Sequence, residues 1–205
     1  MKIRKLLGKY KFRRRSSIII IFTENRKSDV KNIFIFEKTN NKYFMTVIGL
    51  RVKSNSKIYY CILEELPDGS LNYVDITHLK IPLALNWPEA LNFVRNTILD
   101  ILLQYGVKKA IIRICEFGIT FNSTINERVY IEGVLQETIA SSNVEKYKAG
   151  QIAEFTSLLG IKRDEFKKYA QADLHYENIP TEINWDKLSL EERETILTAN
   201  AALNL

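Results

Sequence analysis

Runs of β-branched and aromatic residues dominate the first third of the chain, separated by short polar clusters. Such runs predict strands, because branched and aromatic side chains pack well on a pleated surface. Pro67-Asp68-Gly69 marks a turn before the last of them. The pattern predicts five strands, the last three forming an antiparallel meander: 18–22, 32–36, 43–52, 57–64 and 71–77.

A helical period replaces the strand pattern after residue 86. Apolar residues recur on one face from Trp87 to Tyr105, with Asn86 as a candidate N-cap and Gly106 as a stop. The nearly unbroken apolar run 107–115 predicts a strand that is buried on both faces. A helix is predicted at 125–140, where Thr124 and Glu127 form a candidate capping box, and a short strand at 144–147. Helices are then predicted at 151–159 and 163–170. The last helix begins at Ser189, which forms a second candidate capping box with Glu192, and runs to the C-terminus.

This order of elements predicts an α/β fold. Three antiparallel strands followed by an α-β crossover give a mixed sheet, in which parallel strands follow the antiparallel ones and helices cover the faces. We expect three regions: a basic arm at 1–15, an N-terminal strand extension at 16–40, and the main domain at 41–205.

The positive charge is concentrated at the N-terminus. The first 15 residues contain eight lysines and arginines and no acid, so the net charge of +6 leaves residues 16–205 at −2. Lysine and arginine displace the counterions condensed on DNA or RNA, and we therefore predict that the arm contacts nucleic acid. A solvated arm and an arm that docks on an acidic partner are the alternatives. The predicted nucleic-acid contacts in the arm are Arg4, Lys5, Lys9, Lys11, Arg13, Arg14 and Arg15.

Several classes of protein and site have no support in the sequence. No apolar run approaches the roughly 20 residues of a membrane span, and no glycine-rich phosphate loop or nucleophile–histidine arrangement occurs. Cys61 and Cys115 lie in apolar runs, as core thiols of a reducing compartment do, and His78 and His175 have no ligand-spaced partner. We expect a cytoplasmic protein without membrane contact or zinc.

Five stretches, in this order, resemble the ribonuclease-H-like superfamily, especially its RuvC-like branch and a related family of small uncharacterised bacterial proteins. The resemblance covers about residues 43–204 and implies a ribonuclease-H-like fold for them. The stretches are 47–51 (VIGLR), 59–63 (YYCIL), 107–113 (VKKAIIR), 131–135 (IEGVL) and 191–199 (EERETILTA).

The resemblance also implies where a catalytic site would lie. Catalytic members hold two divalent metals, roughly 4 Å apart, with carboxylates from the first strand, the fourth strand and the last helix. Here the first-strand position is Arg51, and the fourth-strand position falls at about Arg113 to Cys115, with Glu116 nearby. In the last helix, Glu191 and Glu194 share one face and match the expected acidic pair.

Two interpretations of these residues stay open. Glu191 and Glu194 are either metal ligands or acids that the helix dipole favours in a first turn. Arg51 and Arg113 either hold phosphate through bidentate guanidinium bonds, or neutralise a buried acid such as Glu132 or Glu194 in place of the metal.

The sequence therefore favours a non-catalytic ribonuclease-H-like module that binds DNA or RNA, or scaffolds a nucleic-acid-processing complex, without a cofactor. Whether it is an enzyme stays open. The first alternative is a magnesium-dependent nuclease, a phosphodiesterase with Glu116, Glu191 and Glu194 as catalytic residues and with Glu116 and Glu194 as metal ligands. The second is a structural subunit whose N-terminal strands pair with a protein partner.

Overall fold

The structure is a computed structural model, and it describes residues 17–23, 32–38, 45–116 and 123–205. The chain divides into two units, residues 1–43 and residues 44–205. In the first unit, strands β1 (Ser17–Thr23) and β2 (Asn32–Lys38) pair antiparallel. The predicted basic arm lies outside the described residues.

The second unit is built on a five-stranded mixed sheet in the order β5-β4-β3-β6-β7. Three strands form the predicted antiparallel meander: β3 (Met45–Ser54), β4 (Lys57–Glu65) and β5 (Leu71–Lys80). The central strand β3 then pairs in parallel with β6 (Lys109–Arg113), and β6 pairs in parallel with β7 (Lys146–Gly150). The predicted fold class, an α/β mixed sheet, is confirmed.

Five α-helices of the described chain pack on this sheet, and a 3₁₀ turn (Trp185–Lys187) precedes the last of them. None of the helices in the described ranges is long and apolar enough to cross a membrane. The helices are α1 (Trp87–Tyr105), α2 (Ser123–Ala140), α3 (Ile152–Leu159), α4 (Arg163–Gln171) and α5 (Leu190–Leu203).

Each face of the sheet buries its own apolar cluster. In β3, Ile48 and Leu50 pack with residues of α1 and α2, whereas Val47 packs with residues of α3, α4 and α5. Successive strand side chains point to opposite faces, so a central strand needs apolar residues at nearly every position. Cys61 of β4 is buried in the second cluster, whereas Cys115, beyond the end of β6, is only partly buried.

Most helix ends follow the capping signals in the sequence. Asn86 accepts a hydrogen bond from the Glu89 N–H, and the Glu89 carboxylate accepts one from the Asn86 N–H, each 3.1 Å long. Gly106 ends α1 with a left-handed φ of 60°, which glycine adopts without steric cost. At α5, Ser189 and Glu192 form the same reciprocal box.

Two predicted boundaries are wrong for identifiable reasons. Helix α2 begins at Ser123, so Thr124 lies inside its first turn instead of capping it, and the Glu127 carboxylate accepts a bond from Asn55 Nδ2 at 2.8 Å. The strand predicted at 144–147 is β7, which runs from Lys146 to Gly150. Val144 suggested the earlier start because it is apolar, but it packs against the core ahead of the strand.

Gly49 sets how closely α5 approaches the sheet. A Cβ atom at this position would lie 2.4 Å from the Ala199 nitrogen and 2.4 Å from the Thr195 carbonyl oxygen, both backbone atoms of α5. Only glycine permits this contact. Arg51 lies two residues after Gly49 on the same face of β3, and Glu194 directly precedes Thr195, so the close approach brings these two side chains together.

We therefore expect Gly49→Ala to lower the free energy of unfolding by about 3 kcal/mol, because the clash is with backbone that cannot rotate away. Gly133→Ala is the matched control. Gly133 is exposed within α2, and a Cβ there meets nothing within 4 Å. That control should raise stability by about 0.5–1 kcal/mol through helix propensity. Urea unfolding measures both; a midpoint for Gly49→Ala equal to wild type would contradict the packing constraint.

Candidate functional site

Two arginines lie side by side near the carboxyl ends of the parallel strands. Arg51 of β3 and Arg113, the last residue of β6, are register partners. Ligand sites of open α/β sheets lie at this edge, because the loops and helix ends that follow the strands converge there. The sequence predicted that these two positions belong to one site, and the sheet register brings them together.

Glu194 of α5 lies against both arginines. Its Oε2 atom is 2.6 Å from Arg51 Nη1 and 3.3 Å from Arg113 Nε. The exposed fractions of the three side chains are 12% for Arg51, 8% for Arg113 and 6% for Glu194. The arginines therefore neutralise a buried acid, which is one of the two interpretations that the sequence left open.

Glu191 lies one turn before Glu194, at the exposed side of this group. Its Oε1 atom is 3.1 Å from Lys53 Nζ and 3.9 Å from Arg51 Nη1. Glu191 belongs to the first turn of α5, as the helix-dipole interpretation has it. Glu194 comes after that turn and points into the protein, so the dipole interpretation is wrong for Glu194.

Glu116 connects the end of β6 to two helices. Its Oε1 atom accepts a 3.1 Å bond from the Ile152 N–H at the start of α3, and lies 3.8 Å from Arg113 Nη2. Its Oε2 atom accepts a 2.9 Å bond from Arg163 Nη2 of α4. Both carboxylate oxygens therefore already face donors of the chain itself.

A further ion pair on α2 belongs to the site, and only half of it was named from the sequence. Arg128 Nε donates a 2.8 Å bond to Glu132 Oε1, while Glu132 Oε2 accepts a 3.1 Å bond from the Cys115 N–H. Both side chains are buried. Sequence reasoning missed Arg128 because an arginine four residues before a glutamate is typical of an exposed helix face.

The central contacts are ionic but not well aligned as hydrogen bonds. Arg51 Nε and Arg128 Nη2 are buried without an acceptor, and Arg51 Nη1 and Arg113 Nε face Glu194 Oε2 without hydrogen-bond geometry. The distances to Glu194 give charge attraction, while the guanidinium groups keep unused N–H directions. We call Arg51, Arg113 and Arg128 the arginine cradle.

Burial and neighbouring charges shift the pKa values in this group. Burial raises the pKa of Glu194, and this outweighs the opposing effects of Arg113 and Arg51. Burial lowers the pKa of Arg51, and the charges of Arg113 and Arg128 lower it further against the attraction of Glu194. The pKa of Glu191 is lowered, because the Lys53 bond and the cations around it outweigh the effect of burial.

Comparison with solved structures shows a RuvC-like, ribonuclease-H-like fold. The chain is similar to a Thermus thermophilus RuvC structure, with a TM-score of 0.56 and 11% identity over 78% of this chain and 94% of that one. It is also similar to the structure of T. thermophilus RuvC in complex with a Holliday junction substrate, with a TM-score of 0.54 and 10% identity over 78% of this chain and 94% of that one. The structure of the yeast mitochondrial Holliday junction resolvase Ydc2 is similar with a TM-score of 0.52 and 9% identity, over 78% of each chain. No protein-family model and no curated protein matches the chain.

The residues at the site do not fit the two metal ions that the fold family implies. Within the described ranges, no three histidine, cysteine, aspartate or glutamate side chains lie close enough together to hold a metal ion. Magnesium needs several hard oxygen ligands, whereas Arg51 and Arg113 place guanidinium groups there and one of them is 2.6 Å from the Glu194 carboxylate. No chemical step through a metal follows from this arrangement.

Glu191 should give a pH-dependent contribution to stability. Its folded-state pKa lies below the ordinary 4.5, so its contribution is present above pH 4.5 and is lost as the pH falls through the folded value. We expect Glu191→Gln to cost at most about 1 kcal/mol at pH 7, because the Lys53 partner is half exposed. Urea unfolding at pH 7 and pH 3 measures the difference from wild type, which should be smaller at pH 3 than at pH 7. A cost that is the same at both pH values would count against the Lys53 and Arg51 contacts as its source.

Proposed function

We propose that this chain is a non-catalytic ribonuclease-H-like module that binds nucleic acid. The observation that carries the proposal is the ion-pair group at Glu194, which occupies the edge of the sheet where catalytic members of the fold hold their metals. There, Arg51 and Arg113 supply from the chain itself the positive charge that divalent ions supply in a two-metal site.

The geometry gives two reasons against a metal-dependent nuclease. A divalent ion would have to approach a carboxylate, Glu194, that already has two cations within 3.3 Å of one oxygen. Its other candidate ligand, Glu116, is bound to the Ile152 N–H and to Arg163. Freeing Glu194 would leave buried positive charge unpaired, which costs several kcal/mol. Freeing Glu116 would break its bonds to the Ile152 N–H and to Arg163.

Accessible cations beside the buried group support nucleic-acid binding. Lys53 pairs with Glu191 and Arg163 pairs with Glu116, and 46% and 51% of their side chains are exposed. They offer phosphate contacts that need no rearrangement of the core. The eight lysines and arginines of residues 1–15 are a separate source of such contacts. The RuvC structure solved with a Holliday junction substrate has this fold, which makes branched DNA the first ligand to test. A protein partner stays a prediction.

We expect no magnesium- or manganese-dependent cleavage of branched, duplex or single-stranded DNA or of RNA, because no carboxylate set among the described residues is free to hold the metals. Gel electrophoresis of end-labelled substrates measures this. The Glu194→Ala variant is the control for contaminating nucleases. Metal-dependent cleavage by the wild type that this variant lacks would overturn the proposal in favour of the nuclease hypothesis.

We expect the affinity for DNA to fall steeply with salt, with a log–log slope of about −0.9 for each phosphate contact. In the full-length chain, replacing Arg13, Arg14 and Arg15 by glutamine should weaken binding and reduce that slope by about 2–3 if each contacts one phosphate. Arg95→Gln is the matched control, since Arg95 is half exposed and pairs with Glu137. Fluorescence anisotropy from 50 to 300 mM salt, roughly the range in which such contacts are screened, measures both; an affinity that does not change with salt would contradict the proposal.

A further inference from the structure

We infer that the arginine cradle is a binding site for one phosphate group, which Glu194 occupies in the free protein and vacates when phosphate binds. The inference rests on the proposed function and identifies the chemical group that the site would take. It goes beyond the exposed cations Lys53 and Arg163, because it assigns a role to the buried side chains Arg51, Arg113 and Arg128.

The unused donors of the cradle are the first observation behind this inference. Buried polar groups in folded proteins are almost always hydrogen-bonded, so an unpaired buried donor needs an explanation. Arg51 Nε and Arg128 Nη2 are buried without an acceptor, and Arg51 Nη1 and Arg113 Nε have only the misaligned contact with Glu194 Oε2. Arg113 and Arg128 are about nine-tenths buried, with 8% and 10% of their side chains exposed.

Another buried arginine of the same chain shows that the fold can satisfy such a group. Arg193 Nε donates to the Ala170 carbonyl at 2.7 Å, and its Nη1 donates to the carbonyls of Trp185 and Leu188. It has no buried unpaired nitrogen. Arg193 is therefore a structural arginine with backbone acceptors, and the cradle differs from it in having charge partners but few aligned acceptors.

Glu194 fills the cradle incompletely. A single oxygen, Oε2, faces both Arg51 and Arg113, and neither contact has hydrogen-bond geometry. A phosphate group has several oxygens in a tetrahedral arrangement, and guanidinium groups bind it bidentately through two parallel N–H bonds. Phosphate can therefore use donor directions of three arginines that one carboxylate oxygen leaves unused.

The electrostatics of the site allow Glu194 to be replaced. Burial raises the pKa of Glu194, so its charged form is held at a cost that release toward solvent would recover. Arg128 lowers the pKa of both Arg51 and Glu194, and its charge therefore acts on the same space as the other two arginines. Lys53 and Arg163, both half exposed, pair with Glu191 and Glu116 beside the cradle and add positive charge that attracts an anion.

The test compares the full-length wild type with Glu194→Gln and Glu137→Gln. Glu194→Gln keeps the shape of the side chain but removes the competing charge. Glu137→Gln makes the same chemical change at a glutamate that pairs with Arg95 outside the site. Thermal unfolding is followed in chloride and in 50 mM inorganic phosphate at equal ionic strength. That concentration is about five times a dissociation constant of roughly 10 mM for phosphate, which we take as the working value.

We expect phosphate to raise the midpoint of Glu194→Gln by about 2–4 °C, and that of the other two chains by clearly less, because only in this variant does no carboxylate compete with phosphate for the arginines. The basic arm is the same in all three chains, so its contribution cancels. An equal phosphate response in Glu194→Gln and Glu137→Gln would overturn the inference.

If Glu194→Gln does not fold, Arg113→Lys in the wild-type chain decides the question. Lysine keeps the charge but loses the bidentate donor geometry. We expect this variant to lose most of the wild-type phosphate response measured at higher phosphate concentrations, whereas an unchanged response would reject the cradle as the site.

A DNA-binding measurement on the same three chains distinguishes a DNA backbone phosphate from free phosphate as the ligand. It also tests this inference separately from the proposed function. If a backbone phosphate enters the cradle, Glu194→Gln should bind a DNA duplex about tenfold more tightly than wild type, a change of one decade in Kd. A phosphate response without a gain in DNA affinity assigns the site to free phosphate. A phosphate response without DNA binding by any chain rejects the proposed function alone, and DNA binding without the phosphate response rejects the cradle alone.

Discussion

The contact of Glu194 with Arg51 and Arg113 is the interaction on which the site depends. A buried carboxylate is costly unless charge and hydrogen bonds offset its loss of hydration, and here two guanidinium groups from neighbouring strands supply the charge. The contact exists because Gly49 lets the α5 backbone approach β3 at a distance that any side chain would block. Packing and electrostatics are therefore coupled: the helix position that fills the core also places the acid.

The charges at this edge of the sheet differ from those of a two-metal site, where carboxylates hold cations taken from solution. Here two strand positions, Arg51 and Arg113, are cationic, and the acids come from α5, from α2 and from the residues after β6. The cations that face Glu194 are therefore side chains of the chain itself.

The two kinds of pairing in the protein interior differ in a way that bears on function. Arg193 donates to backbone carbonyls and ties α5 to the preceding turn, which is a purely structural task. The arginine cradle attracts Glu194 by charge, but these contacts lack hydrogen-bond geometry, and Arg51 Nε and Arg128 Nη2 have no acceptor. Buried groups of that second kind are candidates for a ligand contact, since a rigid core otherwise satisfies its polar atoms.

Sequence signals that act within one element determined much of the fold. The run 107–115 indicated a buried strand, Asn86 and Gly106 bounded α1, and the distant resemblance placed Arg51 and Arg113 in one candidate site. Such signals suffice because period, cap and turn preferences depend on neighbours a few residues away. The signal at Thr124 was wrong because α2 begins at Ser123, two residues before the predicted start of the helix at 125.

The tertiary structure alone decided what the charged residues do. Arg128 looked like half of a surface pair, and nothing in its local pattern indicated that α2 would turn it toward the carboxyl ends of β3 and β6. The choice between a metal ligand, a dipole acid and a buried counterion for Glu194 was equally open. The role of Glu194 depended on how closely α5 approaches Gly49, a contact between residues about 145 positions apart in the chain. Such non-local partners set the free energy of a buried charge.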